Sequence, residues 1–386
     1  MRRVAPDPPV VIMAGDFLAH EFKAPTAIPT MVWLARRFDR AFPRAQFVIT
    51  LGNEDSACGD YANPPDSTFI RAAAAAWAPL VDRRGAAPDF ARTFGHDGFY
   101  TAALPIPGLR AVVVDDAFWS VFHHDGCGTS GDPTPGSLAE LERAVRPGRT
   151  ERRWLIMHIP PGVDASSTVR LTHRLAIVPF LRPQPRDAAT ALISDPARRI
   201  VLVVTGHVHR FAFRIVDDRG RGPVPVLVAP AISPLLGNAP SFVTADIGPD
   251  GTLRNLEEHS YVGRSWHDIG GTASLGMSEF SGSALMNVQR RLAEDSALRA
   301  TYARLYVGGA PFHEITEGNW RSYWCASTAF NASAYRRCVD VSGFGLLTGR
   351  GVAVVAIVAV ALLVPLAAAA IWLLRRRRLR RTLPGA

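Results

Sequence analysis

The sequence predicts an α/β fold, because short apolar runs alternate along the chain with segments of helical periodicity. The runs with the length and composition of buried strands lie at residues 10–13, 47–51, 154–157 and 200–204. Apolar residues recur at helical spacing, or in an alanine-rich run, at residues 26–42, 66–80, 137–145 and 187–194. At 386 residues and 48% apolar content, the chain can bury a substantial core.

Further predicted elements follow these runs or lie between them. Further strands are predicted at residues 111–114, 211–216, 224–229 and 242–247, and we expect the later ones to pair antiparallel. Segments rich in Gly, Pro and Asp, at residues 126–136 and 217–223, predict loops. From Ser283 to Leu305 the apolar spacing becomes helical, and Trp320, Tyr323 and Trp324 then supply a second small core.

Four of the predicted strands run into a turn that carries a metal-ligand type of side chain. The first reaches Gly15-Asp16, with His20 four residues on, and the second reaches Gly52-Asn53-Glu54. The third ends at His158, and the fourth at Thr205-Gly206-His207-Val208-His209. α/β folds place their chemistry at the carboxyl ends of strands, so these side chains could share one site.

Each of these residues also has an ordinary structural interpretation. Asp16 alone could be a helix N-cap or a loop carboxylate, and Asn53 could be a turn residue after Gly52. His158 could be a core histidine, and His207 and His209 two unrelated loop histidines. The order in which the four motifs occur favours the shared site.

The ordered set GD, GN, H and GHxH resembles the calcineurin-like metallophosphoesterase superfamily. Residues 15–20, 158–162 and 229–240 are similar to its acid sphingomyelinase-like branch. The resemblance covers about residues 10–262 and implies two facing mixed β-sheets flanked by helices, a four-layer sandwich. It also implies hydrolysis of a phosphodiester, or a phosphomonoester, by a metal-bound hydroxide.

The same resemblance assigns roles to the motif residues. Asp16 would bridge two divalent ions; Asn53, His158 and His207 would complete one metal shell, and His209 would bind the other ion. Mixed oxygen and nitrogen ligands suit zinc, manganese or iron. The resemblance also implies that the protein binds a phosphoester substrate.

Two departures from the family pattern bear on activity. No D-x-H motif precedes Asp16, so one metal shell lacks two ligands, and this chain would hold two ions or only one. We expect the reading frame to start late, so that a first strand and a signal peptide are missing; a degenerate enzyme is the alternative. A noncatalytic binding or scaffold protein on the same fold is then the rival function.

The second departure is Glu54, which stands where the family motif has a histidine. A carboxylate there would repel a phosphoester unless burial raises its pKa. His20 then becomes the candidate general acid, with a surface histidine at a helix start as its ordinary interpretation.

The end of the chain predicts a membrane anchor. Residues 352–374 carry no charge and could cross a hydrocarbon core of roughly 30 Å as one helix. Six arginines follow, so the basic tail at 375–386 is expected in the cytoplasm and the large N-terminal region outside it. These arginines account for six of the nine net positive charges, so no nucleic-acid-binding signal remains beyond the tail.

The expected domains are a catalytic domain at 1–262, a mainly helical extension at 263–345, a transmembrane helix at 352–374 and the tail. Cys325 and Cys338 flank an aromatic segment, where a disulfide is one possibility. Cys58 and Cys127 could pair only if the fold brings them together.

Overall fold

The computed structural model describes residues 1–128, 131–172, 177–217 and 222–340. Within this part of the chain, residues up to Tyr335 form one compact unit. The strands are β1 (Val10–Met13), β2 (Gln46–Ile49), β3 (Tyr100–Ala103), β4 (Leu109–Val113), β5 (Arg152–Ile156), β6 (Ile200–Thr205), β7 (Ala212–Val216), β8 (Val224–Val228), β9 (Ser241–Ile247), β10 (Leu253–Val262), β11 (Ser265–Gly271) and β12 (Glu279–Phe280). The α-helices are α1 (Ala24–Ala41), α2 (Thr68–Val81), α3 (Phe90–Asp97), α4 (Thr134–Ala144), α5 (Ala165–Thr172), α6 (Pro183–Ser194), α7 (Gly282–Glu294), α8 (Ser296–Tyr306), α9 (Trp320–Ala326) and α10 (Ala332–Asp340).

The α/β class is present, but the predicted pair of facing mixed sheets is wrong. The described strands form three sheets. A six-stranded mixed sheet has the order β3-β4-β5-β6-β8-β7, a four-stranded sheet is built on β10, and β1 and β2 form a parallel pair by themselves. The four-layer sandwich is therefore not the arrangement that the structure has.

The physical reasons lie in the connections. Gly263 and Arg264, both with positive φ (58° and 74°), join β10 to β11 in a two-residue turn that permits only antiparallel pairing. β2 approaches β4 through side chains instead of a backbone ladder: the Thr50 hydroxyl donates to the Val114 carbonyl over 3.0 Å. The β1–β2 pair consequently stays a separate sheet.

The predicted transmembrane helix has no counterpart among the described helices. Among the helices that the structure describes, none is long and apolar enough to cross a membrane. Residues 352–374, on which the prediction rested, lie outside the described residues.

Parallel strands form the centre of the six-stranded sheet, and their carboxyl ends determine where a functional site can lie. β4, β5, β6 and β8 run parallel, and β3 and β7 pair antiparallel at its two edges. Strands covered on both faces have near-continuous apolar sequences, as β5, β6 and β8 do. The carboxyl ends of β5 and β6 thus meet at one edge, and those of the parallel pair β1 and β2 meet likewise.

Helices follow the last strand. Asp295 ends α7 and caps α8, because its carboxylate accepts hydrogen bonds from the backbone of Ala297 (2.9 Å) and Leu298 (3.0 Å). The Trp324 indole of α9 donates to the Gln289 carbonyl of α7 over 2.6 Å. The turn from strands to helices after β12 matches the change of periodicity at Ser283.

All four cysteines are in disulfide bonds. Cys58 and Cys127 pair across 69 residues with their Cα atoms 5.3 Å apart. Cys325 and Cys338 are disulfide-bonded as well.

Candidate metal centre

The four strand-end loops converge on one point. Asp16 follows β1, Asn53 follows β2, His158 follows β5 and His207 follows β6, so two parallel strand pairs deliver the four side chains. Three of the predicted residues are non-glycine residues with positive φ: Asp16 (57°), His207 (67°) and His209 (58°). Such backbone costs free energy and persists at functional sites, where the surrounding structure holds it in place.

Glycine at position 15 permits the close approach of these loops. Gly15 has φ 87°, and a Cβ there would lie 2.6 Å from the backbone nitrogen of Gly52 and 2.7 Å from the His158 Nδ1. Any larger residue would therefore push the Asp16 loop away from Asn53 and His158.

Four candidate ligand atoms each lie within hydrogen-bond distance of at least one of the others. The His158 Nε2 is 3.1 Å from the Asp16 Oδ2 and 3.0 Å from the Asn53 Oδ1. The His207 Nδ1 is 2.8 Å from the Asn53 Oδ1 and 3.3 Å from the His158 Nε2. One ligand atom from each of Asp16, His158 and His207 lies within 4.8 Å of the other two, which is close enough for the three to share a metal ion.

These spacings fit a tetrahedral ion. Zinc bonds of about 2.0–2.1 Å place neighbouring ligand atoms about 3.3 Å apart. The His158 Nδ1 donates to the Ala14 carbonyl over 2.5 Å, which leaves its Nε2 lone pair facing the Asp16 carboxylate and the Asn53 carbonyl. These three atoms are hydrogen-bond acceptors that face one another, so a cation or added protons must lie between them. A backbone carbonyl that accepts from the other ring nitrogen is a common support for a metal-binding histidine.

When no metal ion is bound, protons would lie between these ligand atoms. Burial opposes the charged form of His158, but the Asp16 carboxylate beside it raises its pKa to about 9. Burial lowers the pKa of His207 to about 3, helped by the charge on His158. Burial would raise the pKa of Asp16, but the His158 cation holds it well below its ordinary value. The cluster is thus a carboxylate with one strongly basic and one weakly basic imidazole.

His209 lies beside the cluster. Its Nε2 is 3.9 Å from the Asp16 Oδ2, and its buried Nδ1 has no hydrogen-bond partner among the described residues. An orphaned buried nitrogen next to a shared carboxylate is suited to a ligand or to a water bound there.

Next to the cluster, His20 lies between the carboxyl groups of Glu54 and Asp60. The His20 Nε2 is 2.8 Å from the Glu54 Oε1, and its Nδ1 is 2.7 Å from the Asp60 Oδ2. Burial, with the nearby Asp16 charge, raises the pKa of Glu54 to about 8. Partial burial would lower the pKa of His20, but the Asp60 hydrogen bond and the Glu54 and Asp60 charges raise it. At neutral pH, Glu54 is therefore largely protonated.

The structure adds two supporting carboxylates that the sequence analysis did not assign. Asp116 accepts hydrogen bonds from the backbone nitrogens of His158 (2.8 Å) and Ile159 (3.0 Å). Asp55 accepts from Gly52 (2.8 Å) and Leu18 (3.0 Å), which ties the β2 loop to the β1 loop. Asp116 lies just past the end of β4, so the strand-end pattern that selected the other residues could have found it.

A cavity of about 150 Å³ opens above the cluster. Every predicted site residue except His158 lines it: Asp16, His20, Asn53, Glu54, His207 and His209. His158 is 1% exposed and lies behind them.

Comparison of the chain with protein-family models and with curated proteins finds no match. The family resemblance therefore rests on the motifs themselves.

Proposed function

We propose that this protein is a metal-dependent phosphoester hydrolase. The observation that carries the proposal is the convergence of the Asp16, Asn53, His158 and His207 ligand atoms at the base of a cavity, where each lies 2.8–3.3 Å from at least one of the others. The motif order, which resembles calcineurin-like metallophosphoesterases, supports it. Zinc, manganese and iron suit this mixed set of ligands.

Each residue has a distinct task in this proposal. Asp16, Asn53, His158 and His207 hold a divalent ion, which when bound activates water and neutralises charge on the phosphoryl group. The Ala14 carbonyl and Asp116 orient His158. His20, held between Glu54 and Asp60 at the cavity, donates a proton to the leaving oxygen.

Metal content and hydrolysis test the proposal together. Purified protein is loaded with zinc, manganese or iron(II), and bound metal is measured alongside turnover of bis(p-nitrophenyl) phosphate and p-nitrophenyl phosphate. We expect His207→Ala to lose the ion and at least about 100-fold in kcat/KM. His267→Ala, on the exposed end of β11, is the matched control and should keep both. Wild-type protein that binds no metal would contradict the proposal.

A noncatalytic metal-binding protein is the second candidate. Its supporting observation is that both ring nitrogens of His20 are already engaged by carboxylates, so its proton is not free. Stoichiometric metal without turnover of either ester would favour this candidate.

A further inference from the structure

The cavity poses an electrostatic problem for an anionic substrate. Besides Glu54, three carboxyl groups line it: Asp16, Asp164 and Glu314. A phosphoester brings one or two further negative charges into a partly enclosed space, where like charges repel strongly. A protein cation facing the cavity would offset this repulsion.

Two of the cavity's cationic side chains are already committed to carboxylates. Arg210 is buried, with its Nη2 2.6 Å from the Glu314 carboxylate, and it also donates to the Asn238 amide oxygen (3.0 Å). His20 is held between Glu54 and Asp60. Arg210 cannot turn toward a substrate phosphate without leaving the Glu314 carboxylate unpaired.

Arg170 lines the same cavity and is differently placed. It is exposed, and its side chain makes no hydrogen bond or ion pair with any residue in the described part of the chain. It lies on α5 one turn beyond Ser166 and Ser167, which also line the cavity, so the three side chains share a helix face.

The start of α5 is firmly held. The Asp164 carboxylate accepts from the backbone nitrogen of Ser167 (2.9 Å), and the Asp164 backbone nitrogen donates to the Val178 carbonyl (2.9 Å). The helix face that carries Arg170 is therefore positioned by the fold at the cavity, while the guanidinium itself remains available.

We propose that Arg170 binds the phosphoryl group of the substrate and sets a preference for phosphomonoesters. This rests on the proposed hydrolase function. With one phosphoryl oxygen turned toward the His and Asp cluster, a monoester has two non-bridging oxygens left, which match the paired N–H donors of a guanidinium. A diester has one left. Arg170 thereby provides a positive charge for the phosphoryl group in place of the family's histidine, whose position Glu54 occupies.

The test compares Arg170→Ala and Arg170→Lys with the wild type, after metal loading. We expect Arg170→Ala to lower kcat/KM for p-nitrophenyl phosphate by about 10- to 100-fold, mainly through KM, and to weaken binding of inorganic phosphate similarly. The loss for bis(p-nitrophenyl) phosphate should stay within about threefold. Arg170→Lys, which keeps the charge without the paired donors, should fall between. Arg36→Ala, an exposed arginine on α1, controls for net charge.

Metal content and phosphate titration separate this proposal from the hydrolase proposal. Metal content should be unchanged in Arg170→Ala, because Arg170 touches no ligand of the cluster. If the wild type turns over neither ester, calorimetric titration with inorganic phosphate still tests Arg170. Equal phosphate affinity in wild type and Arg170→Ala, no phosphate binding by either, or equal losses for both esters would overturn the assignment.

Discussion

At the scale of single residues, Glu54 changes the charge that is expected beside the substrate position. A carboxyl group stands beside the ligand Asn53, and burial keeps it largely protonated, with a pKa of about 8. It is therefore a neutral neighbour of the substrate position near neutral pH, and the anion expected from the sequence is largely suppressed there.

Substituting Glu54 tests what this neutral group does. In Glu54→His, an imidazole that can carry a positive charge replaces the carboxyl group, so we expect kcat for bis(p-nitrophenyl) phosphate to rise several-fold. Glu54→Gln, which removes the acid but adds no charge, is the control and should stay close to wild type at pH 6. Lower activity in both variants, with metal content intact, would show that Glu54 has a catalytic role of its own.

Glu258 of β10 supplies a pH-dependent contribution to stability away from the site. It is fully buried, and burial raises its pKa to about 8 although the Ser241 hydroxyl and the Arg304 charge oppose the shift. Between about pH 4.5 and about pH 8 the folded protein keeps a proton that the unfolded chain has lost. Stability therefore falls as the pH rises through this window.

Glu258→Gln should remove this pH dependence. We expect the variant to match wild type near pH 4.5 and to exceed it near pH 8 by an amount on the order of a few kcal/mol. Urea unfolding at both pH values measures the difference. A constant difference between the two proteins across the window would mean that Glu258 does not titrate in it.

At the scale of elements, the loop after β2 carries much of the site. It contains Asn53, Glu54 and Asp60, and the disulfide from Cys58 to Cys127 ties it to the segment after β4. Cys127 is exposed, and Gly126 packs against Ala62 and Cys58. The cross-link thus restrains the loop that places Asn53.

Removing this disulfide should affect both stability and metal binding. For Cys58→Ser/Cys127→Ser we expect a loss of about 2–4 kcal/mol in the free energy of unfolding, because the bond closes a long loop. Metal affinity should fall as well, because Asn53 loses its restraint. Cys325→Ser/Cys338→Ser is the control, expected to lose stability but not metal affinity. Unchanged metal affinity in the first variant would separate the disulfide from the site.

At the scale of the whole molecule, the proposed metal centre joins elements that are distant in sequence. β1, β2, β5 and β6 each lead into one proposed ligand, and they belong to two different sheets. An ion bound there should stabilise the compact unit as a whole, since the unfolded chain does not assemble the ligands.

Chelation should therefore lower the melting temperature. With metal at about 100 times its Kd, the linkage contributes about 2.7 kcal/mol, which for a unit of this size is a shift of a few degrees. EDTA should produce this shift in wild type and in His267→Ala but not in His207→Ala. An equal shift in all three proteins would place the responsible ion elsewhere.

Local sequence predicted most of the strands and the candidate site residues. Apolar runs predicted β1, β5 and β6 to within about two residues. For β5 and β6 the reason is burial, because strands covered on both faces require apolar sequence. Asp16, Asn53, His158 and His207 could be selected because each follows such a run. Their convergence was expected from the same rule, since parallel neighbours end at one edge.

Only the tertiary structure decided how the sheets are divided and how the site is charged. β2 could have paired with β4 through a backbone ladder, but next to these strands the hydrogen bond runs from the Thr50 hydroxyl to Val114. Which of the two forms depends on contacts between residues far apart in sequence. The pairing of Cys58 with Cys127, the protonation of Glu54 and the commitment of Arg210 to Glu314 depend likewise on burial and on distant partners. A residue's own type and its neighbours in sequence carry no information about the desolvation or the charges that the fold places around it.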